Sequence, residues 1–419
     1  MSYAERLLAA LTESDRWVLQ RVAALAAQSN RPLYLVGGSV RDGLLGLPIR
    51  EFDLTVEGDA IALAQSAAHE LHADLIMHDH FGTAKLKLPD RSGAIESIDL
   101  ATARTETYAR PGALPEVTRG TIATDLIRRD FTINAMALRL DGQHLGELVD
   151  LHGGLRDLRD GIVRVLHARS FVDDPTRLFR GARFEQRFDF ALDAGTRQLI
   201  PAALPVIDQI SGDRLRHELD WLFNEAQPDK ALARLNEWGV LQHIDPDLTF
   251  DEGTRRPFRQ HAAPYDRFTC WAWLLAQRSR AALQRIMPRL NLTRDDALDL
   301  EQVHDLLSAQ AAIGQAAAPS AIDRQLNRYH DRALRAVLTT IESAAARNNI
   351  RRYLDELRGV RVPIDGARLQ ALGLPPGPAI GRALDALRAA ALDGIITTPQ
   401  QAEDYARQLI AREIERDRA

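Results

Sequence analysis

The chain has 419 residues, 45% hydrophobic and 26% charged. This is an ordinary soluble globular composition, with length for two to four domains and a substantial core. A net charge of -5 excludes nucleic-acid binding through global positive charge and leaves only a local basic patch for such a role.

The opening MSYAERLLAALTESDRW is a charged amphipathic helix, unlike a secretory signal, and no apolar run approaches the ~18 residues of a membrane span. The single cysteine, Cys270, gives no disulfide framework and no cysteine metal site. Both features fit a reducing, cytoplasmic setting without a membrane. RPLYLVGG (Arg31–Gly38) predicts a buried strand ending in a glycine turn, and SVRDGLLG a helix start. EFDLTVEG (Glu51–Gly58) predicts a second strand and DAIALAQSAAHELHA an amphipathic helix. DLIMHDHFGTAKLKLP and ESIDLATAR alternate like strands. RPGALPEVTRG reads as a loop, and TDLIRRDFTINAMALRL as a helical stretch. From about residue 170 the segments have helix length. Breaks fall at Ala316–Asp323 and Gly373–Gly381. The expected fold is an α/β head with a small mixed sheet, followed by an all-α neck, body and tail. The expected borders are 1–165, 166–245 and 246–419.

Residues two apart in a strand share a face, so Glu51 and Asp53 present two carboxylates side by side. Like charges so placed repel unless a cation lies between them, and hard oxygen ligands suit Mg²⁺. Alone, such a pair is equally an exposed, solvated face. Gly37 and Gly38 add a strand-to-helix turn whose N–H groups can hold phosphate, and Arg41 follows on the first helical turn. Together they point to a nucleoside triphosphate with a divalent ion. Asp99, on a later strand, completes a two-metal set if that strand lies beside the first. His78 and His80 flank Asp79, a spacing that could suggest a metal clip but is not taken as one.

In FVDDPTRLFRGARF (Phe171–Phe184), Asp173 and Asp174 precede a proline, which suits a helix start. Arg177, Arg180 and Arg183 then recur every three residues along one face. A carboxylate accepts the exocyclic amine of C or A, and an arginine donates to the neighbouring ring nitrogen or carbonyl. Guanine and uracil lack that arrangement. The competing reading is an N-cap followed by a solvated arginine face.

VGGSVRDGLLG, EFDLTVEGDA, HFGTAKL, IDLATARTETYARPGALPEV and RRDFTINAMA, in that order, resemble the class II tRNA nucleotidyltransferases and related bacterial poly(A) polymerases. The resemblance is strong over about 36–245. It implies a polymerase-β-like head and transfer of nucleotides from CTP and ATP to the 3′ end of tRNA, with pyrophosphate leaving. It implies metal binding and catalysis by Glu51, Asp53 and Asp99, and triphosphate binding by the turn at Gly37, Gly38 and Arg41. It places Arg128, Arg129 and Asp130 against ribose or phosphates, with Asn134 one helical turn beyond Asp130. Asp174 and Arg177 match the protein template for bases, with Arg180 and Arg183 as triphosphate or structural partners. Asp173 departs from the family's common glutamate. Glu51 departs from its usual aspartate, which moves the carboxylate by about 1.5 Å and suggests tolerance for Mn²⁺. ISGDRLRHELDWLF reads as a structural neck helix. GLPPGPAIG resembles a tail segment of tRNA enzymes and favours tRNA over poly(A) tails. Full CCA addition is the expectation. The alternatives are CC-only, A-only or poly(A) synthesis, and, in another class, a non-catalytic RNA-binding relative.

Overall fold

The computed structural model describes residues 8–9, 11–89, 93–107, 116–261 and 266–418. The chain divides into two compact units, Met1–Pro246 and Asp247–Ala419.

In the first unit, helix α1 (Glu13–Gln28) begins at Thr12, whose hydroxyl accepts the Asp15 N–H at 3.1 Å. The Asp15 carboxylate is 1% exposed and accepts the backbone N–H groups of Ala94 and Ile95 at 3.0 and 3.2 Å. One buried side chain thus fixes the helix to the approach of a later strand. The strands are β1 (Leu33–Val36), β2 (Glu51–Val56), β3 (Asp74–His78), β4 (Thr83–Lys87), β5 (Ser97–Thr102), β6 (Arg104–Thr107), β7 (Glu116–Arg119), β8 (Ala137–Arg139) and β9 (Leu148–Val149). Seven form a mixed sheet in the order β3-β4-β5-β2-β1-β8-β9, while β6 and β7 pair separately. The β2–β5 pair is parallel and sets Asp53 beside Asp99. The β4–β5 pair is antiparallel and sets Lys85 on the other side of Asp99.

Alternation along the strands divides core from site. Phe52, Leu54 and Val56 of β2, with Ile98 and Leu100 of β5, are at most 1% exposed. Helix α2 (Gly38–Leu45) follows β1, and α3 (Ala60–Leu71) buries Leu63, Ala64, Ala67 and Leu71 against the sheet. Glu51, Asp53 and Asp99 point from the opposite face.

Two stretches depart from the expected pattern. TDLIRRDFTINAMALRL is not one helix. It forms the end of α4 (Ile122–Ile127), a short 3₁₀ turn at Thr132–Asn134, and β8. Every residue from Phe131 to Leu138 is buried, so the segment has no polar face to give a surface helix. Phe131 is extended, and the Thr132 N–H donates to the Arg164 carbonyl at 2.8 Å instead of to a helix. The end of RPGALPEVTRG is likewise strand β7; residues 110–115 of that loop lie outside the described residues.

Helix α5 (Gly154–Asp160) starts hard against the Thr132 carbonyl. Helices α6 (Ser170–Asp173) and α7 (Thr176–Phe188) are separated at Asp174, whose backbone is extended as the residue before Pro175 demands. Phe131 packs edge-on to Phe171 and Phe184, with ring centroids 6.4 and 5.7 Å away. Gly181 gives that ring room: a Cβ there would lie 3.3 Å from Phe131 Cζ. Helices α8 (Gly212–Phe223) and α9 (Pro228–Glu237) pack on α7. A small parallel pair, Ile162–Val163 with Ala191–Leu192, joins the segments before and after α7.

The second unit is helical throughout its named elements, from Glu252–Gln260 to Pro399–Arg418. Trp271 and Trp273 are fully buried, as is Cys270. Buried aspartates hold arginines: Asp323 binds Arg388 at 2.7 Å, and Asp299 binds Arg332 at 2.6 Å. GLPPGPAIG joins Gly366–Ala371 to Pro378–Leu392, with Gly373 and Gly377 at positive φ. Among the described residues no helix is long and apolar enough to cross a membrane.

Gly154→Ala tests the close approach of α5. Its Cβ would lie 2.2 Å from the Thr132 carbonyl oxygen, a backbone atom that cannot swing aside. The expected loss is about 2 kcal/mol or more in denaturant unfolding, despite alanine's better helix propensity.

Candidate active site

Three rungs of the sheet build the acidic end of the site. Asp53, Asp99 and Lys85 stand abreast on β2, β5 and β4. Glu51, two residues before Asp53, shares its face. Carboxylate oxygens of Glu51, Asp53 and Asp99 lie within 4.8 Å of one another. The longer side chain of Glu51 therefore still reaches the cluster. Three hard oxygen donors at this spacing fit a divalent ion. Lys85 Nζ is 2.9 Å from Asp99 Oδ2 and 3.8 Å from Glu51 Oε2. Burial pushes the Asp53 carboxyl up to about 6; Glu51 and Asp99 add to the rise, while Arg129 and Lys85 oppose it.

The glycine turn is tied to the acid strand. Ser39 Oγ donates to the Glu51 carbonyl at 2.9 Å and accepts the Asp53 N–H at 3.2 Å. Gly37 has φ +66°, a conformation that favours glycine, and a Cβ there would push Arg129 Nη1, 2.7 Å away, from its place. Gly37, Gly38 and Arg41 line a cavity of about 720 Å³ that Asp53 also borders. Arg41 is 4% exposed: its guanidinium donates to Asn134 Oδ1 and Asp42 Oδ1 and lies over Phe184 and Phe188, 5.2 and 4.7 Å from the ring centroids. It is a wall of the cavity, already held by four neighbours.

The RRD segment supplies the next wall. Asp125, fully buried, accepts from Arg128 at 2.7 Å and from Arg129 at 2.8 Å. Arg128 also binds Glu106 at 2.8 Å. Arg129 Nε is buried with no hydrogen-bond partner among the described residues, a donor left for an anion. Asp130 accepts the Phe131 N–H at 2.8 Å, Asn134 Nδ2 at 3.0 Å and Arg180 Nε at 2.7 Å. Burial opposes its ionisation, but Arg180 and these donors outweigh burial and hold it below the usual carboxylate range. Asp130 and Asn134 meet across a 3₁₀ turn, not across the helical turn expected from their spacing.

The base-reading candidates adjoin this wall. Asp174 Oδ1 accepts from Thr176 N–H and Oγ, at 3.2 and 2.7 Å, and from Arg214 at 2.7 Å. Arg177 is buried and donates to Ser170 Oγ at 2.6 Å and to the Arg128 carbonyl at 2.7 Å. Arg183 binds Glu225 at 3.0 Å and lies over the Trp221 ring. All four of Asp174, Arg177, Arg180 and Arg183 line the same cavity. Asp173 is not among its lining residues; its carboxylate pairs with Arg169 at 2.9 Å. Glu51 and Asp99 stand behind Asp53, also outside that lining.

Sequence reasoning missed two sets of residues. Helix α8 is not merely structural: Arg214, His217, Glu218 and Trp221 line the cavity. Their i, i+3, i+4, i+7 spacing was the available signal for one shared face. Burial pushes Glu218 up to about 7, with Asp174 adding to it and Arg180, Arg183 and Arg214 opposing. Lys85 was the other omission; its alternation with Leu86 in HFGTAKLK marked it as off the core.

Residues 33–164 match the poly A polymerase head domain, and residues 189–252 the probable RNA and SrmB- binding site of polymerase A. An A-adding tRNA nucleotidyltransferase of Halalkalibacterium halodurans is 31% identical over 95% of this chain and 93% of its own length. This chain belongs to the tRNA nucleotidyltransferase family. An A-adding family member of Geobacter sulfurreducens is 34% identical over 91% of this chain, which spans only 45% of that protein. Two solved family structures share the fold at 29% identity. The Thermotoga maritima CCA-adding enzyme complexed with tRNA has a TM-score of 0.74, covering 98% of each chain. A CCA-adding enzyme complex with ATP has a TM-score of 0.80, covering 98% of this chain and 99% of that one.

The raised Asp53 pKa carries a sign. The folded protein holds that proton more tightly than the unfolded chain, so its contribution to stability is complete below the unfolded value and is lost as pH rises through about 6. In chelator, Asp53→Asn should therefore gain on the wild type between pH 5 and pH 8, by about 1.4 kcal/mol. Melting curves at the two pH values measure the gain; an equal offset at both would refute it.

Proposed function

We propose that this chain adds or repairs the 3′-terminal CCA of tRNA, taking CTP and ATP as substrates and releasing pyrophosphate. The observation that carries the reading is one cavity lined both by Asp53 of the acid cluster and by Asp174 and Arg177. Metal chemistry and base recognition thus face the same bound nucleotide. The reading includes a cytoplasmic setting, and a head and neck dividing the first unit near residue 165, with tRNA contacts on the second unit.

The reaction forms a bond from the RNA 3′-oxygen to the α-phosphorus and breaks the bond from that phosphorus to the bridging oxygen. A divalent ion on Glu51, Asp53 and Asp99, Mg²⁺ in our reading, supplies charge that lowers the pKa of the hydroxyl and steadies the leaving group. The chain's own residues position the triphosphate. The α2 N-terminus behind Gly37 and Gly38 favours negative charge, and Arg129 offers its unpartnered Nε. Arg128 and Arg180 present further positive charge, while Asp130 and Asn134 hold Arg180 and Arg41 in place.

Asp174 and Arg177 read the base. The donors on Asp174 all meet Oδ1, which leaves Oδ2 to accept the exocyclic amine shared by cytosine and adenine. Arg214 fixes that carboxylate from α8. Rejection of guanine and uracil follows from the penalty of leaving the part-buried Asp174 carboxylate and the buried Arg177 unmatched.

An A-only activity is the second reading. It is favoured by the A-adding relatives that align along nearly the whole of this chain. A single-nucleotide gel assay separates the two. With tRNA ending before CCA, full addition gives C, C and A and then stops. An A-only enzyme extends only tRNA already ending in CC; a ladder of A on unrelated RNA would mean poly(A) synthesis. No product with either Mg²⁺ or Mn²⁺ would replace the enzyme by a binding-only relative.

Two substitutions check the assigned roles. Arg214→Ala should lower kcat/KM for the correct nucleotide by about tenfold, through loss of a charge-assisted hydrogen bond, and relax discrimination against UTP and GTP. A fall without relaxed discrimination would make Arg214 structural only. Glu51→Asp should shift relative turnover from Mn²⁺ towards Mg²⁺. An unchanged ion preference would remove the special role of the longer acid.

A further inference from the structure

The basic side chains of this protein are almost all arginine; the lysines are Lys85, Lys87 and Lys230. One of the three stands inside the acid cluster. Its place is not an accident of a long flexible side chain. The β4–β5 register puts Lys85 directly opposite Asp99, and the β2–β5 register puts Asp53 directly opposite Asp99 on its other side. Neighbours on one rung have Cβ atoms about 5 Å apart, so the backbone register keeps the root of the Lys85 side chain beside Asp99. It donates to Asp99 Oδ2 at 2.9 Å and lies 3.8 Å from Glu51 Oε2.

A divalent ion and an ammonium group compete for the same oxygens. An ammonium is a compact point charge, so it neutralises a carboxylate much as a metal does but with one charge instead of two. Together with Arg129, 2.8 Å from Asp125 and close enough to lower the Asp53 carboxyl, it offsets much of the repulsion among the three acids. Side-chain exposures of 37% for Lys85 and 39% for Asp99 leave the pair in contact with water, so the ammonium has somewhere to go when displaced.

We propose that Lys85 is an internal cation of the acid cluster, which a divalent metal must displace from Asp99, so that Lys85 weakens metal binding in the nucleotide-free protein. This rests on the metal reading of Glu51, Asp53 and Asp99. Lys85 makes Asp99 a conditional ligand. The cluster keeps its shape without metal, and strong metal occupancy waits for a nucleotide whose phosphates add negative charge and oxygen ligands.

The test is direct Mn²⁺ binding to the full chain without nucleotide, followed by calorimetry and by the electron paramagnetic signal of free ion. Lys85→Met and Lys85→Gln should each bind Mn²⁺ roughly fivefold tighter or more, the size expected when a competing part-exposed ion pair is lost. Lys85→Arg should stay near the wild type because it keeps the charge. Lys87→Met, on the same strand but outside the cluster, should not change affinity, and Asp53→Asn should lose binding. Unchanged or weaker binding in both neutral Lys85 variants, with Asp53→Asn still losing it, overturns the role of Lys85 and leaves the metal site standing. Full Mn²⁺ binding by Asp53→Asn places the ion elsewhere and overturns the metal reading together with this inference. Circular-dichroism melts of the same samples establish that each variant is folded.

Discussion

The parallel pairing of β2 with β5 is the constraint on which the site depends. It forces Asp53 and Asp99 to stand side by side, although like charges on one rung repel. Everything nearby compensates. Lys85 arrives from β4, Arg129 leans over Gly37, and Ser39 clamps the backbone on either side of Phe52, between the two acids of β2. The apolar alternates Phe52, Leu54, Ile98 and Leu100 hold the register, because a slip by one residue would exchange the core face for the acid face.

A second pattern runs through the cleft. Its arginines are oriented by carboxylates of the protein before any substrate arrives: Arg128 and Arg129 by Asp125, Arg180 by Asp130, and Arg183 by Glu225. Holding a long cation in advance reduces the entropy lost on binding a phosphate. It also reconciles an acidic chain with an anionic ligand, because the net charge of -5 is global while the donors converge on one cavity.

The head was legible in the sequence where chemistry and periodicity agree. The glycine turn, the acid pair and Asp99 each sit on the element that alternation and turn residues indicated, and the structure gathers them without rearrangement. RRDFTINAMA was legible as a motif but not as structure: its unbroken burial suits neither a surface helix nor an alternating strand, so tertiary contacts of Phe131 and Thr132 decide its path. The two helices around Asp174 were read as a start at Pro175, but the short helix before it was not. Arg214, His217, Glu218 and Trp221 were overlooked because a helix facing a charged cleft carries the same mixture of residues as one facing water. Only the neighbour it packs against tells the two apart.

Asp174 sits at a joint, on the single extended residue between two helices, and its carboxylate is moored to a different helix through Arg214. The aim of that acid is therefore a property of two elements, not of one residue. A sideways shift of α8 by a fraction of an ångström re-aims the acceptor while Asp174 itself stays unchanged. With Asp174 in its proposed base-reading role, nucleotide preference rests on the packing residues of α8 as well as on Asp174 and Arg177, and a substitution there alters it without touching either.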